Sequence, residues 1–155
     1  MRTESDVHAL REALADGTID IVATDHAPHP TEAKECEWQE AAFGMLGLET
    51  ALSIVQMTMV DSGLLSWEQV ADRLSHAPAR IGRYSGQGEK VAVGSFANLV
   101  VINPTKSWRV DRDLVLSNST NTPYHGYELP GFVEHTLFKG KQTVINGAVV
   151  GKEAM

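Results

Sequence analysis

Cys36 is the only cysteine in the 155 residues, so neither an internal disulfide nor a multi-cysteine zinc site can be built. It is flanked by Glu35, Glu37 and Lys34 with no histidine beside it, the setting of an ordinary loop thiol rather than a nucleophile. No apolar run approaches the ~18 residues of a membrane span. Residues 1–20 lack the basic start and apolar stretch of a signal peptide, so the cytosol (a cytoplasmic location) is the expected compartment. Basic residues are scarce: 13 Lys and Arg against 20 Asp and Glu leave a net charge of −7, and their scatter along the chain argues against a nucleic-acid surface. Internal repeats and low-complexity segments are also absent. What remains, 43% apolar, suffices for one real core, yet the chain is shorter than the roughly 250 residues of a complete (β/α)8 barrel.

Local patterns divide the chain in two. Thr3, Glu4, Ser5 and Asp6 make a capping-box start, Val7, Leu10, Ala13 and Leu14 follow at helical spacing, and Gly17 is a stop signal. Residues 19–24 are a short apolar run of the kind that forms a strand buried on both faces of a parallel sheet. Helix followed by buried strand is an α/β signature. Residues 24–43 predict a long loop with at most a helical turn, a length that in compact domains is usually functional or disordered. Residues 45–60 predict a helix packed between layers and ending near Gly63. Ser66 and Gln69 form a second capping box, with Trp67, Val70, Ala71 and Leu74 on one face, and Pro78 opens a last short helix through Arg83, ending near Gly86 and Gly88. Beyond about residue 84 the texture is β: short runs at 91–93, 98–102 and 132–138, then 141–145 and 148–150 flanking Asn146-Gly147, a strong hairpin signal.

The stretch that carries chemistry is TDHAPH, residues 24–29, placed where the expected strand meets the long loop. Strand C-terminal ends face the active site in a barrel, so an Asp and two His there are well placed for catalysis. A carboxylate at that point can ligate a metal through one oxygen and exchange a proton with a metal-bound water through the other. Asp and His also commonly cap turns after strands, and the motif alone leaves both readings open.

Four further segments accompany it: FGMLGLETAL (43–52), SHAPARIGR (75–83), GSFANLVVINP (94–104) and NTPYHGYELPG (121–131). In this order and spacing they resemble the bacterial type I dihydroorotases of the amidohydrolase superfamily, over essentially the whole chain. The resemblance implies an α/β fold: residues 1–83 as the C-terminal portion of a metal-dependent hydrolase (β/α)8 TIM barrel, its last strand and flanking helices, and residues 84–155 as part of a small composite β-domain. It implies a zinc-dependent cyclic amidohydrolase with two zinc ions, interconverting N-carbamoyl-L-aspartate and (S)-dihydroorotate in pyrimidine (UMP) biosynthesis. Carried over position by position, it makes Asp25 a ligand of the first zinc and the general base and acid. His29 hydrogen-bonds the substrate, Phe43 and Gly44 contact the ring through their backbone, and His26 supports the motif without ligating.

The sequence departs from that family in one respect. The His-x-His pair and the other metal ligands of earlier strands are missing, since none of the six histidines (His8, His26, His29, His76, His125 and His135) forms such a pair. Because a zinc site takes about four ligands, the isolated chain is expected to be metal-poor and inactive, a fragment of a longer protein rather than a natural short protein with an N-terminal partner. Alternatives are a hydantoinase, dihydropyrimidinase or allantoinase, and a non-catalytic partner of aspartate transcarbamoylase. For the complete enzyme the resemblance allows a homodimer or an association with aspartate transcarbamoylase. His8 is expected to be an exposed helix residue and His76 a helix N-terminal one. Trp67 and Trp108 are expected as packing anchors, Met57 and Met59 as part of an apolar helix, and His125 as structural.

Overall fold

The computed structural model describes residues 3–151. Helix α1 (Glu4–Asp16) opens on the expected capping box: the Thr3 side chain accepts from the Asp6 amide at 3.2 Å, and the Thr3 amide donates to the Asp6 carboxylate at 2.9 Å. These bonds satisfy amide donors that the first helical turn otherwise leaves without a partner. Gly17, in the left-handed conformation, ends the helix. Just before it, the Thr18 backbone and side chain hold the exposed Asp16 carboxyl below the usual carboxylate range.

Residues 19–24 are a correction. They run without helix or strand pairing, with Ile19, Ile21 and Val22 half-buried and Asp20 and Ala23 exposed. A strand exists only beside a neighbour that completes its hydrogen-bond ladder, and none of the described strands pairs with this segment. Single bonds anchor it instead, from the Ile19 amide to the Ala13 carbonyl at 2.8 Å and from the Val22 amide to the Arg73 carbonyl at 3.2 Å. The long loop that follows holds one helical turn, α2 (Thr31–Lys34).

The helix expected at 45–60 begins later, as α3 (Ala51–Val55), and continues through a π-turn (Gln56–Val60). Residues 45–47 lie outside any helix, and Met45 forms a parallel bridge with His26. Helix α4 (Trp67–Ala71) starts on the second capping box, formed by Ser66 and Gln69. A second π-turn (Asp72–His76) carries it without a break into α5 (Ala77–Gly82), so the separate last helix expected at Pro78 is the end of one continuous helical rod.

Leu14, Val55, Met59, Leu65 and Val70 make the buried core of this helical part, with Ile19, Val22, Leu52, Trp67 and Leu74 packed around it. Ala71, expected on the same face as Val70, is exposed. Met59 is 2% exposed. Truncating a core methionine costs about 2–5 kcal/mol, so Met59→Ala should lower the urea midpoint of a folded protein carrying this segment by that equivalent, whereas exposed Met57→Ala should leave it nearly unchanged.

The remainder is a four-stranded antiparallel sheet in the order β1 (Leu99–Arg109), β2 (Glu128–Phe138), β3 (Lys141–Ile145), β4 (Ala148–Val149). Asn146 and Gly147 have φ of 52° and 81° in the β3–β4 turn, as the Asn-Gly signal requires. Lys139 and Gly140, at 50° and 79°, repeat that geometry between β2 and β3. The expected run at 91–93 is not a strand: Val91 and Val93 lie exposed in an irregular segment, because an apolar run without a pairing partner cannot hold β geometry. The sheet docks on α3 through Ser53, whose hydroxyl donates to the Gly131 carbonyl at 3.1 Å and accepts from the Trp108 indole at 3.0 Å. Gln56 adds a bond to the Pro104 carbonyl at 2.9 Å. Trp108 is thus a packing anchor with its one donor satisfied. Among the described residues no helix is long and apolar enough to cross a membrane.

Candidate functional site

Three stretches distant in sequence meet: the TDHAPH turn, the loop that carries Phe43 and Gly44, and the connection between β1 and β2. Asp25 turns the chain with φ of 45°, a left-handed conformation that Asp tolerates better than most residues. Its side chain is exposed, and no hydrogen bond among the described residues holds it.

His26 turns the other way. Its Nδ1 accepts from the Gly47 amide at 3.1 Å and the Leu48 amide at 3.3 Å. An imidazole nitrogen that accepts carries no proton, so the ring hydrogen sits on Nε2. These bonds, with the His26–Met45 bridge and the Ala27 amide donating to the Met45 carbonyl at 2.9 Å, join the two loops. His26 is therefore a structural clasp, in keeping with the supporting role expected of it.

His29 and Gly44 face a common cavity of about 330 Å³ whose lining also includes Lys34, Arg112, Asn121 and Thr122. That volume is at the low end for small-molecule sites. Lys34 fixes the loop, donating to the Ala42 carbonyl at 2.8 Å and the Gly44 carbonyl at 3.0 Å. With Arg112 it makes the wall cationic, although Glu35 also lines it. A small anion finds donors there. Of the four residues expected in the site, the structure brings His29 and Gly44 together. Phe43 projects outward at 95% exposure, and Asp25 lies on the same turn as His29 without lining this cavity.

Lys34, Arg112 and Asn121 had no functional reading in the sequence. Only Asn121 stood inside a singled-out motif, and no periodicity links it to a loop more than 90 residues earlier. The blander readings fare as follows. His8 is exposed. His76 stands at the entry to α5 and bonds the Gly88 carbonyl at 2.5 Å. His125 accepts from the Arg112 amide at 3.1 Å. Cys36 is exposed.

Whether these residues fit a metal is a matter of donor count. Among the described residues no three His, Cys, Asp or Glu side chains gather closely enough to hold an ion. Asp25 offers one carboxylate and no more, so the described residues do not by themselves fit a zinc centre.

The pattern of the Amidohydrolase family matches residues 1–150, and the chain belongs to that family. Similar proteins include the dihydroorotase of Streptomyces coelicolor, 60% identical over 147 residues that make up 95% of this chain and 34% of that protein. The dihydroorotases of Leifsonia xyli (51% identical, 97% of this chain and 34% of that protein) and Mycobacterium tuberculosis (49%, 96% and 35%) are also similar. Among solved structures, a D-hydantoinase (dihydropyrimidinase) from Thermus sp. superposes with a TM-score of 0.87 at 29% identity, covering 98% of this chain and 34% of that one. An L-hydantoinase (dihydropyrimidinase) from Arthrobacter aurescens gives 0.87 at 31%, covering 96% and 34%. The chain spans about a third of the length of the curated relatives it matches.

Proposed function

We propose that this chain is the C-terminal segment of a dihydroorotase, with residues 1–83 completing a (β/α)8 barrel and residues 84–155 belonging to its β-domain. The complete enzyme would act in the cytoplasm, interconverting N-carbamoyl-L-aspartate and (S)-dihydroorotate on the route to UMP. The observation that carries this reading is the meeting of His29 and Gly44 in one cation-lined cavity beside the turn that presents Asp25. The identity to proteins named dihydroorotase supports it. The likeness to hydantoinases at lower identity favours, as a second reading, a cyclic amidohydrolase for rings without a carboxylate.

In the hydrolytic direction water adds to the ring amide carbonyl, the C–N bond breaks, and the ring N–H takes up a proton and leaves as the ureido NH2. Asp25 takes the proton from the attacking water and returns it to that nitrogen. His29 donates a hydrogen bond to the substrate carboxylate, and the Phe43 and Gly44 peptides hold the ring. In the reverse direction the ureido nitrogen attacks the carboxyl carbon and water departs. Zinc, when bound in the complete enzyme, would polarise the reacting carbonyl and lower the pKa of the attacking water; Asp25 would be the one donor this segment adds to such a centre.

The test joins residues 1–155 to the N-terminal two thirds of the Streptomyces coelicolor dihydroorotase. The fusion is expected to hydrolyse dihydroorotate, whereas the 155-residue chain alone with added zinc is expected to show no turnover. A folded, zinc-loaded fusion without activity would remove the reading. So would a fusion that opened dihydrouracil, which lacks the carboxylate, at a higher kcat/KM than dihydroorotate.

A further inference from the structure

We propose that Asn121 is a positioning residue for His29, an inference that rests on the assignment of His29 to substrate binding. Ala27, Pro28 and His29 lie outside any helix or paired strand, and proline has no amide hydrogen with which to join a ladder. Something else must fix the backbone that carries the imidazole. The Asn121 side chain does so from both sides of the proline: its Nδ2 donates to the Ala27 carbonyl at 2.9 Å, and its Oδ1 accepts from the His29 amide at 3.2 Å.

The main-chain carbonyl of Asn121 accepts from the Leu46 amide at 3.2 Å. One residue thus holds the His29 turn and the Gly44 loop in register. The two are already in close proximity, since a Cβ at Gly44 would stand 3.4 Å from His29 Nε2. A carboxamide offers a donor and an acceptor on separate atoms of one side-chain tip, which lets it meet both partners at once. Aspartate would set an oxygen against the Ala27 carbonyl, and leucine would satisfy neither partner.

The test uses the full-length enzyme carrying this segment, or the active fusion. Asn121→Ala is expected to raise KM for dihydroorotate about 10-fold, as for a lost hydrogen bond, and to leave kcat within about 3-fold. His29→Ala is expected to raise KM as well, and the double variant to match His29→Ala alone, because Asn121 acts through that ring. Multiplying effects in the double variant, or an unchanged KM in Asn121→Ala where His29→Ala raises KM, overturn the proposal. If the alanine variant does not fold, Asn121→Ser keeps a polar group too short to reach both partners and is expected to give the same pattern.

A separate readout does not depend on the reaction. With 15N-labelled histidine, Asn121→Ala is expected to move the His29 ring resonances and leave those of His135 in place. Unmoved His29 resonances overturn the positioning. Moved resonances together with a His29→Ala variant of unchanged KM sustain the positioning and overturn the role given to His29 in binding.

Discussion

Asp25→Ala in the full-length enzyme is expected to lower kcat by about 10²–10⁴-fold, the usual contribution of a positioned general base, and to leave the thermal midpoint of the metal-free protein almost unchanged. The two halves of that expectation have different sources. The loss of turnover follows from the carboxylate's proposed task of carrying a proton from water to the departing nitrogen. The unchanged midpoint follows from the structure, where the side chain is exposed and holds no hydrogen bond among the described residues, so its removal breaks no packing or polar contact. Alanine must still adopt φ of 45°, a strain of about 1 kcal/mol. Asp25→Asn keeps the shape and removes the base, and should lose as much turnover without that strain. Steady-state dihydroorotate hydrolysis with a parallel melting curve checks both halves, and turnover within a few-fold of wild type would take Asp25 out of the mechanism.

Gly44→Ala should be nearly as damaging, for a steric reason. Gly44 has φ of 112°, and a Cβ added there would lie 2.5 Å from the Cβ of Ala27. Backbone in such a region costs a non-glycine residue about 1–3 kcal/mol, and the clash falls on the turn that carries His29. The loop must move away from Ala27, pulling against the Lys34 bond to its own carbonyl. A displacement of about 1 Å at a catalytic site can cost 10²-fold in rate, so kcat/KM is expected to fall by about that factor. Gly63→Ala is the control. Gly63 also has positive φ, at 77°, but nothing lies within 4 Å of an added Cβ. It should lose stability and keep turnover, and equal loss of turnover in both variants would mean that global destabilisation, not the Ala27 contact, is responsible.

How much of this was legible beforehand depended on the range of the interaction. Thr3 with Asp6, Ser66 with Gln69, and Asn146 with Gly147 each act over three residues or fewer, and each has the geometry expected of it. Residues 19–24 and 91–93 failed as strands because a strand is a property of a pair. The helix expected from residue 45 starts at Ala51 because His26, from another loop, captures the Gly47 and Leu48 amides. The break expected at Pro78 is absent, since the π-turn at Asp72–His76, in which the Ala77 amide donates to the Asp72 carbonyl, leads directly into α5.

The candidate site divides in the same way. Its chemical character was written in TDHAPH and in the Phe43-Gly44 pair, because a carboxylate, an imidazole and a glycine carry their chemistry wherever the chain puts them. Membership of the Amidohydrolase family follows from the same linear motifs. What brings His29 against Gly44, lines their cavity with Lys34 and Arg112, and suspends the His29 turn from Asn121 is contact between segments as many as 94 residues apart. No local periodicity records such contacts, since they arise only when the β1–β2 connection closes over the loops of the helical part.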